Sequence, residues 1–143
     1  MGDSRPDRAS APEIELRQLS AERTGEGGFW KIGWRVKNRG PGRLRIQALR
    51  LPHGQFKSDE NRFNPEIDLK PGAETQFQTL VRCDEPPGDV TENAFVIFYV
   101  LWLEERWRVF ARIRVVVSSA GKPQATTESI TTQTIGFLQK DLL

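Results

Sequence analysis

The stretch Asn93–Val117, NAFVIFYVLWLEERWRVFARIRVVV, decides the fold of this chain. It contains two strand-length runs of β-branched and aromatic residues, joined by a short polar turn at 103–106. In the second run, apolar residues from Trp107 onward alternate largely with arginines, which indicates a strand with one buried face. The first run, 95–102, is apolar on both faces, as in the central strand of a covered sheet. The stretch therefore predicts a core β-hairpin in an all-β domain.

Weaker strand patterns on either side of this stretch supply partners for the hairpin. Phe29–Asn38 alternates most cleanly, and a slip of phase near Ala48 predicts a bulge. The connection at 52–65 is predicted to be long, with Phe56 and Phe63 folded back onto the core. The other predicted strands cover 13–19, 43–51, 67–69 and 74–83. About seven short strands, with no amphipathic helical pattern, predict a two-sheet antiparallel sandwich.

Length and composition fit one domain of ordinary type. The chain has 143 residues, of which 37% are hydrophobic and 28% charged, with a net charge of +2. No apolar run approaches the roughly 20 residues of a membrane-spanning helix, and the N-terminus lacks the apolar core of a secretory signal. If Met1 is the native start, we expect a cytoplasmic protein. The charge is uneven, because residues 27–58 contain no acid whereas 59–92 are mainly acidic.

One succession of short motifs resembles a known family. The motifs are Trp34-x-Val36-x-Asn38-Arg39-Gly40, Leu44-x-Ile46, Leu69-Lys70-Pro71-Gly72, Phe77 and the paired final hairpin. This order resembles bacterial immunoglobulin-like modules of the cell-adhesion-related (CARDB) type, over roughly residues 13–117. The chain lacks the Cys…Trp…Cys framework of antibody-type domains, as well as the export signal and tandem copies typical of CARDB modules. The resemblance implies a binding or spacer module and assigns no functional residue.

These observations predict a single antiparallel immunoglobulin-like sandwich of about seven strands over residues 13–118. Residues 1–12 are expected to be a disordered leader. Residues 119–143 form a C-terminal extension with an apolar end, either a docking strand or a partner-binding tail. Ile135, Phe137 and Leu138 are its candidate contact residues.

Catalytic chemistry has little support in the sequence. His53 is the only histidine and Cys83 the only cysteine, so neither a histidine-based metal site nor an internal disulfide is expected. No nucleophile elbow, P-loop or dinucleotide fingerprint is present. We therefore predict a non-enzyme without cofactor or metal. Calcium held by acidic loops at one pole remains an alternative.

Arginines carry the main functional hypothesis. If the third, sixth and seventh strands share a sheet, Arg45, Arg108, Arg112 and Arg114 lie on one outer face with Phe110 among them. Such a face is suited to an acidic protein surface, or to nucleic acid. Outward strand positions also carry charges for solubility alone, and cross-strand Glu or Gln side chains can neutralise them.

The tryptophans allow two interpretations, core packing or an exposed carbohydrate platform, and the strand patterns favour the core. The predicted function is a non-catalytic protein-interaction or assembly module, an adaptor or accessory subunit. The alternative is a ligand-binding module that uses the arginines for nucleic acid or exposed tryptophans for carbohydrate.

Overall fold

A computed structural model describes residues 11–135, which form eight antiparallel strands and no helix in that range. The strands belong to one sheet with the order β1-β2-β5-β4-β3-β6-β7-β8. They are β1 (Ile14–Arg23), β2 (Phe29–Asn38), β3 (Leu44–His53), β4 (Phe56–Leu69), β5 (Glu74–Arg82), β6 (Val90–Trp102), β7 (Glu105–Val117) and β8 (Pro123–Thr134). The predicted all-β antiparallel class is confirmed. β3, β6 and β7 are neighbours in the sheet, which meets the condition on which the arginine hypothesis depends.

The prediction of about seven strands is wrong, because the structure has an eighth strand and a longer fourth one. β8 is rich in threonine and glutamine, so it lacks the apolar alternation that marks a strand in sequence. It forms against the edge of β7, with which it pairs from Trp107↔Thr134 to Val117↔Pro123. β4 occupies most of the predicted connection at 52–65, where bulges break its alternation with β3.

Two local predictions for β3 and β4 are confirmed. The predicted bulge near Ala48 is confirmed by a register shift between Ile46 and Ala48 on both neighbouring strands. Phe56 is fully buried, and Phe63 makes an edge contact with Phe77 at a centroid distance of 5.3 Å. Phe56 therefore belongs to the core, and the half-buried Phe63 packs against it, as predicted.

The sheet curls into a nearly closed, barrel-like arrangement, whereas the sequence predicted two separate sheets. The two parts of this sheet, β1-β2-β5 and β4-β3-β6-β7-β8, are joined by a single residue pair between β4 and β5, Lys57↔Arg82. The other margin, between β1 and β8, is bridged by side chains. The Gln18 amide nitrogen donates to the carbonyl of Pro123 at 3.0 Å, and its oxygen accepts from the N–H of Ala125 at 2.7 Å. The hydroxyl of Thr127 donates to the carbonyl of Leu16 at 2.9 Å.

The interior is filled by the inward residues of all the long strands. Its largest fully buried side chains are Trp34, Trp102, Phe56, Phe98, Ile32, Leu44, Ile46, Leu49, Leu51, Ile113, Val36 and Val81. The alternating residues of β2 and β7 enter this core, so their outward residues, mostly charged, face solvent. Packing of this core fixes which face of each strand is available for contacts.

Asn38 is the buried polar centre of one end of the sheet. Its amide nitrogen donates to the carbonyls of Gly42 at 2.8 Å and Leu69 at 3.0 Å, and its oxygen accepts from the N–H of Gly40 at 3.0 Å. Its backbone exchanges two further hydrogen bonds with the turn at 72–73. Asn38 therefore ties the β2–β3 loop to the end of β4 and to the β4–β5 turn.

Replacing Asn38 by aspartate tests this tie. Asn38→Asp keeps the shape but removes both donors and places a carboxylate against two carbonyl oxygens, so we expect a loss of about 3 kcal/mol in the free energy of unfolding. Urea unfolding measures it. Asn61→Asp is the control, since the half-buried Asn61 makes no side-chain hydrogen bond within residues 11–135, and an equal loss in both variants would contradict the assignment.

Removing the Gln18 carboxamide should weaken the margin between β1 and β8. Gln18→Ala leaves the Pro123 carbonyl and the Ala125 N–H without their partner, and we expect a loss of about 2 kcal/mol in the free energy of unfolding. The same urea experiment on Gln78→Ala, an exposed glutamine of β5, should show almost no change. An unchanged free energy of unfolding for Gln18→Ala would mean that the side-chain bridge does not stabilise the margin between β1 and β8.

Candidate interaction surface

The outward residues of β3, β6 and β7 form a continuous surface, here called the arginine–aromatic face. The strand register aligns Arg45 with Leu101 and Arg106 in one row. The next rows align Tyr99 with Arg108, then Arg50 with Ile97 and Phe110. The face consists of Arg45, Arg50, Phe95, Ile97, Tyr99, Leu101, Arg106, Arg108, Phe110 and Arg112, none of which belongs to the core cluster.

An apolar column runs along β6 in the middle of this face. It consists of Phe95, Ile97, Tyr99 and Leu101, all half-buried except Ile97, which is 7% exposed. Their neighbours on β3 and β7 are mainly arginines, whose aliphatic stems shield apolar surface while the guanidinium groups reach water. Because residues 95–102 are apolar on both faces of the strand, the sequence predicted a sheet that is covered on both sides. Within the described residues, no other strand of the sheet lies over the outer side.

Aromatic contacts order the column. The Arg108 guanidinium lies 5.9 Å from the centre of the Tyr99 ring, within the range of a cation–π contact. Phe95 meets Phe110 edge to face, with a centroid distance of 6.3 Å and an interplanar angle of 89°. These contacts restrict the orientation of the rings.

Two of the predicted contact arginines are neutralised within the protein. Arg114 pairs with Glu92 at 3.0 Å, and Arg112 pairs with Glu128 at 3.3 Å. Arg112 also donates to Asn93 and Ser129, both at 3.2 Å. Glu92 and Asn93 lie in the β6 bulge and Glu128 in β8, so these partners were not evident from the sequence. The structure therefore separates Arg112 and Arg114 from the arginines that keep an open charge.

Four arginines of the face keep their charge uncompensated by the described part of the chain. Within residues 11–135, no carboxylate oxygen lies within 4.0 Å of a guanidinium nitrogen of these residues. They are Arg45, Arg50, Arg106 and Arg108, all exposed. Arg45 and Arg108 were predicted from the sequence, whereas Arg50 and Arg106 were not. Arg106 was assigned to the predicted turn at 103–106. The outward position of Arg50 could have been predicted, because it follows from the slip of phase near Ala48.

The acid opposite Arg45 on β4 is already engaged. Asp68 is opposite Arg45 in the register, but it forms a two-point ion pair with Arg43, with the Arg43 Nε atom 2.7 Å from its Oδ1 atom. The hydrogen bonds from Arg43 hold the pKa of Asp68 below its ordinary value, and the charge of Arg45 adds to the effect. The basic segment at 27–58 and the acidic segment at 59–92 thus meet where β3 pairs with β4. Because Asp68 pairs with Arg43, Arg45 is without a carboxylate partner in the described range.

Of the three C-terminal candidate residues, Ile135 is described by the structure and lies at one end of this face. Ile135 is half-buried, and its N–H donates to the carbonyl of Arg106 at 2.9 Å. Phe137 and Leu138 lie outside the described residues. β8 therefore ends beside the hairpin of β6 and β7.

All four tryptophans belong to the core, which is the interpretation that the strand patterns favoured. Trp30, Trp34, Trp102 and Trp107 are 3%, 1%, 1% and 7% exposed. Trp30 donates to the carbonyl of Cys83 at 3.0 Å, and Trp34 donates to the hydroxyl of Thr79 at 2.9 Å. A carbohydrate platform needs exposed indole faces, so the burial contradicts that alternative.

The single histidine and the single cysteine of the sequence both lie in the described range. The Nδ1 atom of His53 accepts from the N–H of Gln55 at 3.1 Å in the turn after β3. Burial of Cys83 raises the pKa of its thiol, which lowers the thiolate fraction. In the range 11–135, no group of three or more His, Cys, Asp or Glu side chains is placed to hold a metal ion. The same range contains no helix with the length and apolarity to cross a membrane.

No protein-family model matches the chain, and no curated protein matches it significantly.

Acrylamide quenching checks the burial of the tryptophans. Because the four indoles are shielded by the core, we expect a Stern–Volmer constant several-fold smaller for the native protein than for the urea-unfolded chain. Free tryptophan amide in the same buffer is the control for the quencher. Native quenching close to the unfolded value would contradict the burial and restore the carbohydrate alternative.

Proposed function

We propose that this protein is a non-catalytic interaction module that binds an acidic surface of another protein through the arginine–aromatic face. The observation that carries the proposal is the set of four arginines without a carboxylate partner in residues 11–135, placed around the half-buried apolar column of β6. Carboxylates of a partner complement such a set in charge.

The physical chemistry of protein interfaces supports this proposal. Arginine, tyrosine and other aromatic residues are enriched where binding energy concentrates, because they combine apolar area with a polar group. The guanidinium group is weakly hydrated and bonds carboxylates in two-point fashion, so it loses less on desolvation than an ammonium group. A positive surface also accelerates encounter with an acidic partner.

The strand arrangement supports the finer description of the fold as an immunoglobulin-like module. β1, β2 and β5 are neighbours, as are β3, β6 and β7, and the two groups meet through the single β4–β5 residue pair. Two such groups of strands around one core correspond to the two halves of a sandwich. In this description the module serves as an adaptor or assembly subunit, with the arginine–aromatic face as its contact.

A matched pair of charge variants tests the proposed function. Arg45→Ser with Arg108→Ser removes two charges from the face, whereas Arg17→Ser with Arg82→Ser removes two exposed charges from β1 and β5. Each protein captures partners from nuclease-treated lysate, and the captured protein is purified and its affinity measured by calorimetry. We expect at least about a tenfold loss for the face variant and little change for the control.

Salt dependence gives the second readout of this experiment. An ionic contact should weaken several-fold between about 50 mM and about 200 mM salt, because screening shortens the reach of exposed charges. Equal affinity of the face variant and the wild type for the captured protein would refute the proposed contact surface.

Single-stranded nucleic acid is a second candidate, favoured by the contact of Arg108 with the Tyr99 ring. Arginine and aromatic side chains on a sheet stack with bases while the charges follow the phosphates. Fluorescence anisotropy with a labelled oligothymidylate tests it. Binding that needs Arg45 and Arg108 and falls steeply with salt supports this function, and no binding to the oligonucleotide at low salt excludes it.

A further inference from the structure

The turn between β6 and β7 contains a leucine, Leu103, in an unusual backbone conformation. Trp102 pairs with Glu105, so the turn consists of only two residues, Leu103 and Glu104. Their φ values are 51° and 66°, so both residues adopt the left-handed conformation. This is the geometry of a type I′ hairpin turn, which strongly favours Asn-Gly or Asp-Gly. A leucine in the left-handed region is strained, because its Cβ atom approaches the backbone oxygen.

Burial does not compensate for this strain. Leu103 is 58% exposed, the highest value among the large hydrophobic side chains in the described range. Its Cδ2 atom rests against Gly42, where an added Cβ atom would lie only 2.8 Å away. The contact with Gly42 fixes the direction of the leucine side chain but leaves most of it in water. A strained and exposed apolar residue indicates a function outside the fold itself.

Leu103 forms one wall of a concavity at the end of the arginine–aromatic face. The concavity has a volume of about 380 Å³, and its lining consists of Arg43, Arg45, Leu101, Leu103 and Glu104. Two leucine side chains provide apolar walls, and two guanidinium groups stand beside them. Leu101 and Arg45 also belong to the face, so the concavity is continuous with it.

The charges around the concavity define what it would accept. Arg43 is held by Asp68, whereas Arg45 has no carboxylate oxygen within 4.0 Å in the part of the chain that the structure describes. Glu104 lies at the tip of the hairpin and repels acids there. Partner carboxylates are therefore favoured on the Arg45 side, with an apolar group between the two leucines.

We infer that this concavity receives one aromatic or large aliphatic side chain from an acidic segment of the partner protein. The inference rests on the proposed function and adds the partner's chemistry, namely an apolar anchor next to carboxylates. Leu103 provides specificity for the anchor, and Arg45 and Arg108 provide the charge complement. The strained turn is the means by which the leucine is held out from the sheet.

Two leucine variants separate this function from a general loss of exposed apolar surface. Leu103→Asn installs a residue suited to the left-handed conformation and removes the apolar wall. Leu80→Asn is the matched control, because it removes an exposed leucine of β5 that lies outside the concavity and the arginine–aromatic face. Leu103→Asn should raise the melting temperature by about 3 °C, since it relieves the strained turn, so a loss of binding in this variant does not come from unfolding. Only Leu103→Asn should lose recognition of the anchor.

The probes are two fluorescein-labelled acidic decapeptides that differ only in a central residue, phenylalanine in one and alanine in the other. Fluorescence anisotropy measures their dissociation constants on each protein. We expect the wild type to bind the phenylalanine peptide about tenfold more tightly than the alanine peptide. The ratio should fall below about twofold on Leu103→Asn and stay near tenfold on Leu80→Asn.

The remaining outcomes distinguish this inference from the proposed function. A ratio on Leu103→Asn equal to that of the wild type would overturn the inference. Equal binding of both peptides to the wild type, lost on Arg45→Ser with Arg108→Ser, would overturn the anchor while supporting the acidic partner. Failure of both peptides to bind the wild type would count against the inference and the proposed function together.

Discussion

The three hydrogen bonds of the buried Asn38 carboxamide organise the end of the molecule on which the candidate site depends. They hold the loop at 40–42 against the end of β4. Gly42 in that loop lies against the side chains of Trp102 and Leu103, and a Cβ atom added there would lie 2.8 Å from the Cδ2 atom of Leu103. The Asn38 carboxamide therefore holds in place the loop against which the exposed leucine side chain rests.

The sequence predicted the elements in which local preference and burial agree. β2 has the predicted bounds, and β7 alternates as expected, because one face of each strand enters the core. A docking strand was only one of two alternatives for residues 119–143, since the threonines and glutamines of β8 carry no apolar pattern and its pairing depends on the free edge of β7. β4 was mistaken for a connection because its bulges interrupt the period of two.

The candidate site could be predicted only in part, for a related reason. Alternation is enough to place Arg45 and Arg108 on an outer face, since it fixes which side of a strand a residue occupies. The pairing of Arg112 and Arg114 depends on acids from a bulge and from β8, so no sequence pattern revealed it. The left-handed turn at 103–104 violates the usual turn preference, and a violated preference leaves no signal in sequence.

The side-chain bridge between β1 and β8 gives the fold a direction of mechanical weakness. Ile14 of β1 pairs with Asn38, and Thr134 of β8 pairs with Trp107, so the outer ends of both strands lie at the hairpin end of the sheet. A force that pulls these ends apart loads the Thr127 contact first and the Gln18 contacts afterwards. The bonds between β1 and β8 therefore break in succession, starting from the hairpin end of the sheet.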